Sequence, residues 1–299
     1  MNPNIIPPRK AAAVHDMSGY GRCALSVIMP VLSAAGIQCL PMPTALFSAH
    51  TGVTRTPFFV DLTELLAGFS GSWHELGVKP DAIYTGFLGS AGQIDVVAKI
   101  IESFRRPDGL VLVDPVMGDN GKLYSTITKE HCAAMTDLVR IADVVTPNVT
   151  EAAFITGCRP EDCTPENAPR LLERLVSSGP AAAVITGIYE GNEIITASLD
   201  TRVDGEPHLF RLNRAGSIGY PGTGDIFASV LLAGLMDGKT LADAAAFASL
   251  YVRALVELTS AAGTPAHEGV LVERLLYPLM PDRRDSFFQE QSKHIAGVI

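Results

Sequence analysis

The sequence predicts an α/β fold of three layers, a mostly parallel central sheet with helices on both faces. Three observations carry this. Short apolar runs alternate with segments of helical periodicity along the 299 residues. The runs are apolar throughout, as strands covered on both sides are. Polar residues recur where these runs end, the edge at which parallel sheets bind ligands.

In chain order, "AAAVH" (11–15) reads as a strand and 24–35 as a helix with a kink or break at Pro30. "IQCLPM" (37–42) and "DAIYTG" (81–86) read as strands, and a helix is expected from about Gln93 to Phe104. "GLVLVD" (109–114) is the clearest buried strand, followed by a helix over Lys129–Arg140 and a strand at "ADVVTPN" (142–148). Helices at 149–156 and 165–178 precede the strand "AAAVITG" (181–187), which is expected to end at Thr186 and Gly187. "NEIITASL" and "PHLFRLN" alternate in polarity and read as an antiparallel pair. A glycine loop and two long helices follow. With no repeat or linker, residues 1–299 read as one domain ending in a tail over 280–299.

Composition narrows the function. Hydrophobic residues make up 47% and charged residues 18%, enough for a sizeable core. A net charge of −9 without a Lys or Arg run argues against nucleic acid or an anionic membrane as partner. Five cysteines without a CxxC pair suggest neither a disulfide framework nor a zinc site, which fits a reducing cytoplasm. The N-terminus lacks the apolar core of a signal peptide. The apolar stretch Leu241–Leu258 carries Asp243, Arg253 and Glu257, so it reads as a globular helix and not a membrane span.

"GYPGTGDIFASVLLAGLM" (219–236) sets glycines, a threonine and Asp225 before an apolar helix. Helix N-termini leave amides unpaired and carry partial positive charge, and glycines let a ligand approach the backbone. Together these make an anion site. Asp225 is either the helix N-cap or an acid serving that site. Other polar residues fall at the same sheet edge: Asp16, Asp114, Thr146, Asn148, Thr186 and Gly187.

Six segments in order, "HDMSGYGRCALSVIMPVLSAAGIQ", "TALFSAHTG", "YTGFLGS", "VDPVMGDNGKLY", "DVVTPNVTEAAFITG" and "PGTGD", resemble the pyridoxal/pyridoxamine kinases of the ribokinase superfamily. The resemblance spans about Ala11 to Leu258. It implies a ribokinase-like fold and transfer of the ATP γ-phosphoryl group to the 5′-hydroxymethyl of a vitamin B6 vitamer. It gives Asp225 the role of general base, with the amides of Gly222, Thr223 and Gly224 cradling the transferring phosphoryl. Asp114, Thr146, Asn148, Glu151, Thr186, Gly187, Gly222 and Gly224 match the nucleotide side, with Asp114 and Glu151 as ligands of Mg²⁺. Asn148 and Glu151 also fit a capping box, and both roles stay open for Glu151. Asp16, Phe47, His50, Thr51, Gly52, Tyr84 and Asp225 match the acceptor side. Phe47 and Tyr84 either stack on the pyridine or belong to the core. His50 serves the pocket and not as a base. The resemblance further implies a cytoplasmic homodimer and admits a monovalent cation.

Two positions depart from the pattern. Ala49 stands where Asn is common, and Asp16 where many pyridoxal kinases carry Ser. Asp16 looks more like the hydroxymethylpyrimidine kinases of the same superfamily. A carboxylate there suits a protonated pyridine nitrogen or an amine, which predicts a preference for pyridoxamine or pyridoxine over pyridoxal. A hydroxymethylpyrimidine (phosphate) kinase is therefore the alternative, and a phosphorylated substrate would call on Arg22 or Arg55. A further alternative is a non-catalytic vitamer- or nucleotide-binding regulator. The set Asp114, Glu151 and Asp225 speaks against it, since a pure binder needs no base.

Overall fold

The computed structural model describes residues 7–50, 53, 57–216 and 219–298. The chain begins β1 (Lys10–Ser18), α1 (Leu25–Ala34), β2 (Gln38–Phe47), β3 (Phe59–Asp61), α2 (Thr63–Glu75), β4 (Ala82–Thr85) and α3 (Ala91–Phe104). It continues with β5 (Leu110–Val113), a two-stranded excursion β6 (Gly118–Asp119) and β7 (Lys122–Leu123), α4 (Lys129–Arg140), β8 (Val144–Val145), α5 (Val149–Thr156) and α6 (Ala168–Ser177). It closes with β9 (Ala182–Glu190), β10 (Glu193–Asp200), β11 (His208–Asn213), α7 (Thr223–Met236), α8 (Leu241–Ala261), α9 (Arg284–Gln291) and β12 (Ile295–Val298).

Ten strands form one sheet in the order β12-β11-β10-β9-β8-β5-β4-β1-β2-β3. From β9 to β2 every neighbouring pair is parallel, and the pairs outside that stretch are antiparallel. Strand residues alternate between two cores, as the period of two requires. Ala11, Ala13, Tyr84 and Leu112 face α1, α7 and α8, whose Ile28, Leu231 and Tyr251 are fully buried against them. Ala12, Val14, Ile83 and Val111 face the opposite layer, with Ile94 of α3, Met135 of α4 and Leu172 of α6. Truncating a leucine such as Leu112 to alanine here costs about 2–5 kcal/mol. This is the three-layer, mostly parallel architecture expected from the sequence. No described helix is long and apolar enough to cross a membrane.

Three details differ from the sequence reading. β2 runs past 42 to Phe47 through Pro41 and Pro43. It pairs with β1 along its length and with β3 only at residues 45–47, so the prolines sit on an otherwise open edge. The sequence reading places no element between 42 and 81, where β3 and α2 form. α2 carries Gly68 and Gly71 and fully buries only Leu66, a weak periodic signal. The strand expected to end at Thr186 and Gly187 instead continues to Glu190 through a bulge. Ile188 pairs with Ile195 and Ile185 with Ala197, so Thr186 and Gly187 together face one residue of β10, and Gly187 takes φ +73°.

The tail over 280–299 docks on the body through its described part. Phe287 is buried with its ring 5.8 Å from Phe247 and 6.1 Å from Tyr251, and β12 extends the sheet beside β11.

Candidate active site

The carboxyl ends of the parallel strands stand level. Backbone bonds run from Gly86 N–H to the Val14 carbonyl (3.3 Å), Asp114 to Thr85 (2.9 Å), Thr146 to Val113 (3.2 Å) and Thr186 to Pro147 (3.1 Å). In spatial order this aligns Thr186, Thr146 with Asn148, Asp114, Gly86, and then His15 with Asp16. At the β1 end the pairing with β2 slips between His15 and Met17. His15 and Asp16 at this strand end are both buried.

Asp225 is not the N-cap of α7. Gly222 is, with φ +81° and no side-chain cap, and Asp225 lies in the first turn beyond Thr223 and Gly224. A Cβ on Gly222 would sit 2.0 Å from the Arg22 carbonyl oxygen, so a side chain there is excluded by backbone. The first amides of the helix have no partners within it, and Gly224 is exposed. Thr223 Oγ1 donates to the Tyr220 carbonyl (3.0 Å) and steadies the turn.

Both oxygens of Asp225 are engaged. Oδ2 accepts from the Ala24 N–H at 2.8 Å, and Oδ1 lies 3.1 Å from His15 Nε2 as an ion pair too oblique for a good hydrogen bond. Ala24 holds φ 52° and ψ −143°, a region that side chains rarely adopt. His15 Nδ1 lies 3.0 Å from Asp16 Oδ1, and Ser18 Oγ donates to Asp16 Oδ2 at 3.2 Å. Burial by itself would lower the pKa of His15, but Asp16 and Asp225 outweigh it and hold the imidazole up to about 10. His15 thus lies between two carboxylates that favour its charged form.

Glu151 and Asp114 sit differently. Asn148 caps α5 in a complete capping box: its Oδ1 accepts from Glu151 N–H (3.0 Å) and Glu151 Oε2 accepts from Asn148 N–H (2.9 Å). Glu151 Oε1 accepts from Met117 N–H (3.0 Å), and Asn148 Nδ2 donates to the Gly118 carbonyl (2.8 Å). Burial, then the charge of Asp114, pushes the Glu151 carboxyl well up. Burial, then the charge of Asp225, pushes Asp114 up, against the pull of His15 and the Thr146 hydroxyl. These acids face one another with one histidine among them. Among the described residues no three His, Cys, Asp or Glu side chains cluster to hold a metal alone.

The structure brings Asp16, Asp114, Thr146, Asn148, Glu151, Thr186, Gly187 and the 222–225 turn to one edge. Thr51 and Gly52 lie outside the described residues. Tyr84 is fully buried beneath the site, 5.9 Å from the His15 ring between centroids, so it is core and cannot stack on a ligand. Phe47 is half-buried and packs on Phe59 at 4.7 Å and Phe87 at 5.8 Å. His50 Nε2 contacts the His267 carbonyl at 2.7 Å, tying position 50 to 267. Arg22 is committed to Glu273 (2.9 and 3.0 Å) and to the Glu268 carbonyl (3.2 Å). The sequence reading missed His15 and Ala24. A histidine beside Asp16 on an apolar strand was the available signal for the first; the alanine gave none.

Comparison with known proteins agrees with this geometry. Residues 31–269 match the family described as phosphomethylpyrimidine kinase. A pyridoxine/pyridoxal/pyridoxamine kinase of Bordetella avium is 31% identical over 80% of this chain and 82% of its own. Pyridoxal kinase from Lactobacillus plantarum superposes with TM-score 0.83 and 31% identity, over 96% of this chain and 99% of its own. A Bacteroides thetaiotaomicron protein assigned to the phosphomethylpyrimidine kinases, crystallised with pyridoxal, superposes with TM-score 0.83 and 36% identity, over 91% and 96%. The chain belongs to the phosphomethylpyrimidine kinase family of the ribokinase-like fold and stands there beside the pyridoxal kinases.

Proposed function

We propose that the protein is an ATP-dependent kinase that phosphorylates the 5′-hydroxymethyl group of pyridoxal, pyridoxine or pyridoxamine. The observation that carries this reading is the first turn of α7, where Asp225 stands beside glycine amides that no side chain caps. Asp225 accepts the proton of the acceptor hydroxyl, while the Gly222, Thr223 and Gly224 amides meet the transferring phosphoryl. Phosphoryl transfer depends chiefly on such positioning and on charge neutralisation. Thr146, Asn148, Thr186 and Gly187 line the ATP side of the edge, while Asp16, Phe47, His50, Thr51 and Gly52 belong to the acceptor side. The mutual repulsion of the buried acids fits a hard divalent cation. Mg²⁺ would be held by Asp114, with Glu151 reached through water, and would neutralise phosphate charge. The site draws on strands and helices across the whole sheet, which supports one catalytic domain over 1–299. We also take the protein to be a cytoplasmic homodimer, as the family resemblance implies.

The second reading, a hydroxymethylpyrimidine (phosphate) kinase, is favoured by the description of the matching family. The occupation of Arg22 by Glu273 weighs against its phosphorylated substrate. A coupled ADP-release assay with Mg·ATP and each of pyridoxal, pyridoxine, pyridoxamine and hydroxymethylpyrimidine decides between them. Turnover with the pyridines and little with the pyrimidine is expected. A clear preference for the pyrimidine would move the protein to the second reading, and silence with all four would make it a binder.

A further inference from the structure

The Asp16 carboxylate lies on the acceptor side, yet both its oxygens are turned to the chain's own groups, Oδ1 to His15 and Oδ2 to Ser18. His15 continues the line to Asp225. We propose that His15 is the positioning residue of the base: fixed between Asp16 and Asp225, it orients the Asp225 carboxylate, and Asp16 acts on the reaction through His15 and not on the ring nitrogen or amine of the acceptor. The proposal rests on the reading of Asp225 as general base.

A second observation shows that the slot for this ring is built. A Cβ on Gly86 would lie 1.7 Å from His15 Nε2 and 2.1 Å from Cδ2. Gly86 carries no left-handed φ, so its backbone alone does not require glycine. The imidazole occupies the space a side chain would need. The other wall is Tyr84, fully buried and edge-on to the ring. The titratable groups facing His15 are Asp16 on its own strand, Asp225 from α7, Asp114 at the end of β5 and Tyr84 from β4, while Cys23 before α1 feels Asp16 and Asp225. Carboxylate oxygens lie 3.0 Å from Nδ1 and 3.1 Å from Nε2, an arrangement that favours a proton on each nitrogen over the Asp16 N–H contact to Nδ1 at 3.1 Å. The Ala24 amide and His15 together hold both Asp225 oxygens, leaving the remaining lone pairs for the acceptor hydroxyl.

Two kinds of measurement test this. In steady-state kinetics with pyridoxal, His15→Gln lowers kcat by about 10²-fold, the scale of a misplaced reacting group, with the KM for ATP unchanged. Gly86→Ala, which leaves His15 in the sequence but takes its space, lowers kcat in the same direction. The double variant falls no lower than the worse single one, because both act through the same ring. Nitrogen NMR of the ligand-free protein provides a readout independent of turnover. The His15 ring is doubly protonated at pH 8 in the wild type, and its pKa falls in Asp225→Asn. Wild-type kcat in His15→Gln, additive losses in the double variant, or a neutral His15 at pH 8 would each overturn the proposal. Wild-type protein inactive with every acceptor would instead sink the kinase reading, while NMR still decides the His15 arrangement. Asp16→Ser separates the two roles of Asp16: a uniform loss of kcat across the three vitamers supports action through His15, and a changed ranking with kcat kept supports contact with the acceptor.

Discussion

Helices α5 and α7 both carry an acid at the third residue of the first turn, Glu151 and Asp225, and put it to opposite use. In α5 the N-cap is Asn148, and Glu151 is long enough to fold back onto the Asn148 amide. The helix end closes on itself and takes the 117–118 backbone with it. In α7 the N-cap is a glycine with no side chain to offer. Asp225, one carbon shorter, reaches outward to Ala24 and His15. An acid at the same position therefore locks one helix start and leaves the other open to an anion. What decides is the residue three places earlier.

The largest effect expected from breaking this contrast is at Asp225. Asp225→Asn keeps the shape and removes the base, so kcat falls by about 10²–10⁴-fold. ATP binding, followed by calorimetry, is retained. Next is Gly222→Ala, which forces a side chain into a left-handed φ and against the Arg22 carbonyl. A stability loss of at least about 1–3 kcal/mol is expected in urea titration, together with lost turnover. Glu151→Gln places an amide where both oxygens accept from backbone N–H groups. One donor then meets another, and about 1–3 kcal/mol of stability is lost. Asn148→Ala removes the cap together with the bond to the Gly118 carbonyl, and the lost cap costs about 1 kcal/mol.

The pH dependence of stability sharpens the contrast further. The folded pKa of His15, about 10, lies above its ordinary value of 6.5. Its stabilising contribution is therefore complete below 6.5 and is lost as pH rises through 10. The Tm advantage of wild type over His15→Gln should shrink across that window. An advantage that stays flat would mean that His15 is not charged in the fold.

Much of this arrangement was legible in the sequence. The buried strands 11–15, 109–114 and 181–187 carry no polar interruption, so their order and their shared carboxyl edge could be read directly. The glycines before Asp225 announced an open helix start. What could not be read depends on contacts distant in sequence. Asp225 meets Ala24 and His15 across about two hundred residues, and no local pattern encodes that encounter. The strain at Ala24 has no residue signature, because glycine would mark that conformation and alanine does not. Asp16 matches the acceptor side in the sequence, while its contacts with His15 and Ser18 could not be read there, because they depend on how the strand end slips against β2. Gln38–Phe47 ran longer than its apolar core suggested because an open edge tolerates Pro41 and Pro43.

On this reading the site moves a phosphoryl group onto the hydroxymethyl arm of a pyridine vitamer. Phosphorus NMR of the products from wild-type protein, Mg·ATP and pyridoxal tests it most directly. The expected products are ADP and a phosphomonoester whose phosphorus couples to the methylene protons of that arm, both formed about 10²–10⁴-fold more slowly by Asp225→Asn. ADP with free inorganic phosphate, or the same ester formed at the wild-type rate by Asp225→Asn, would contradict it.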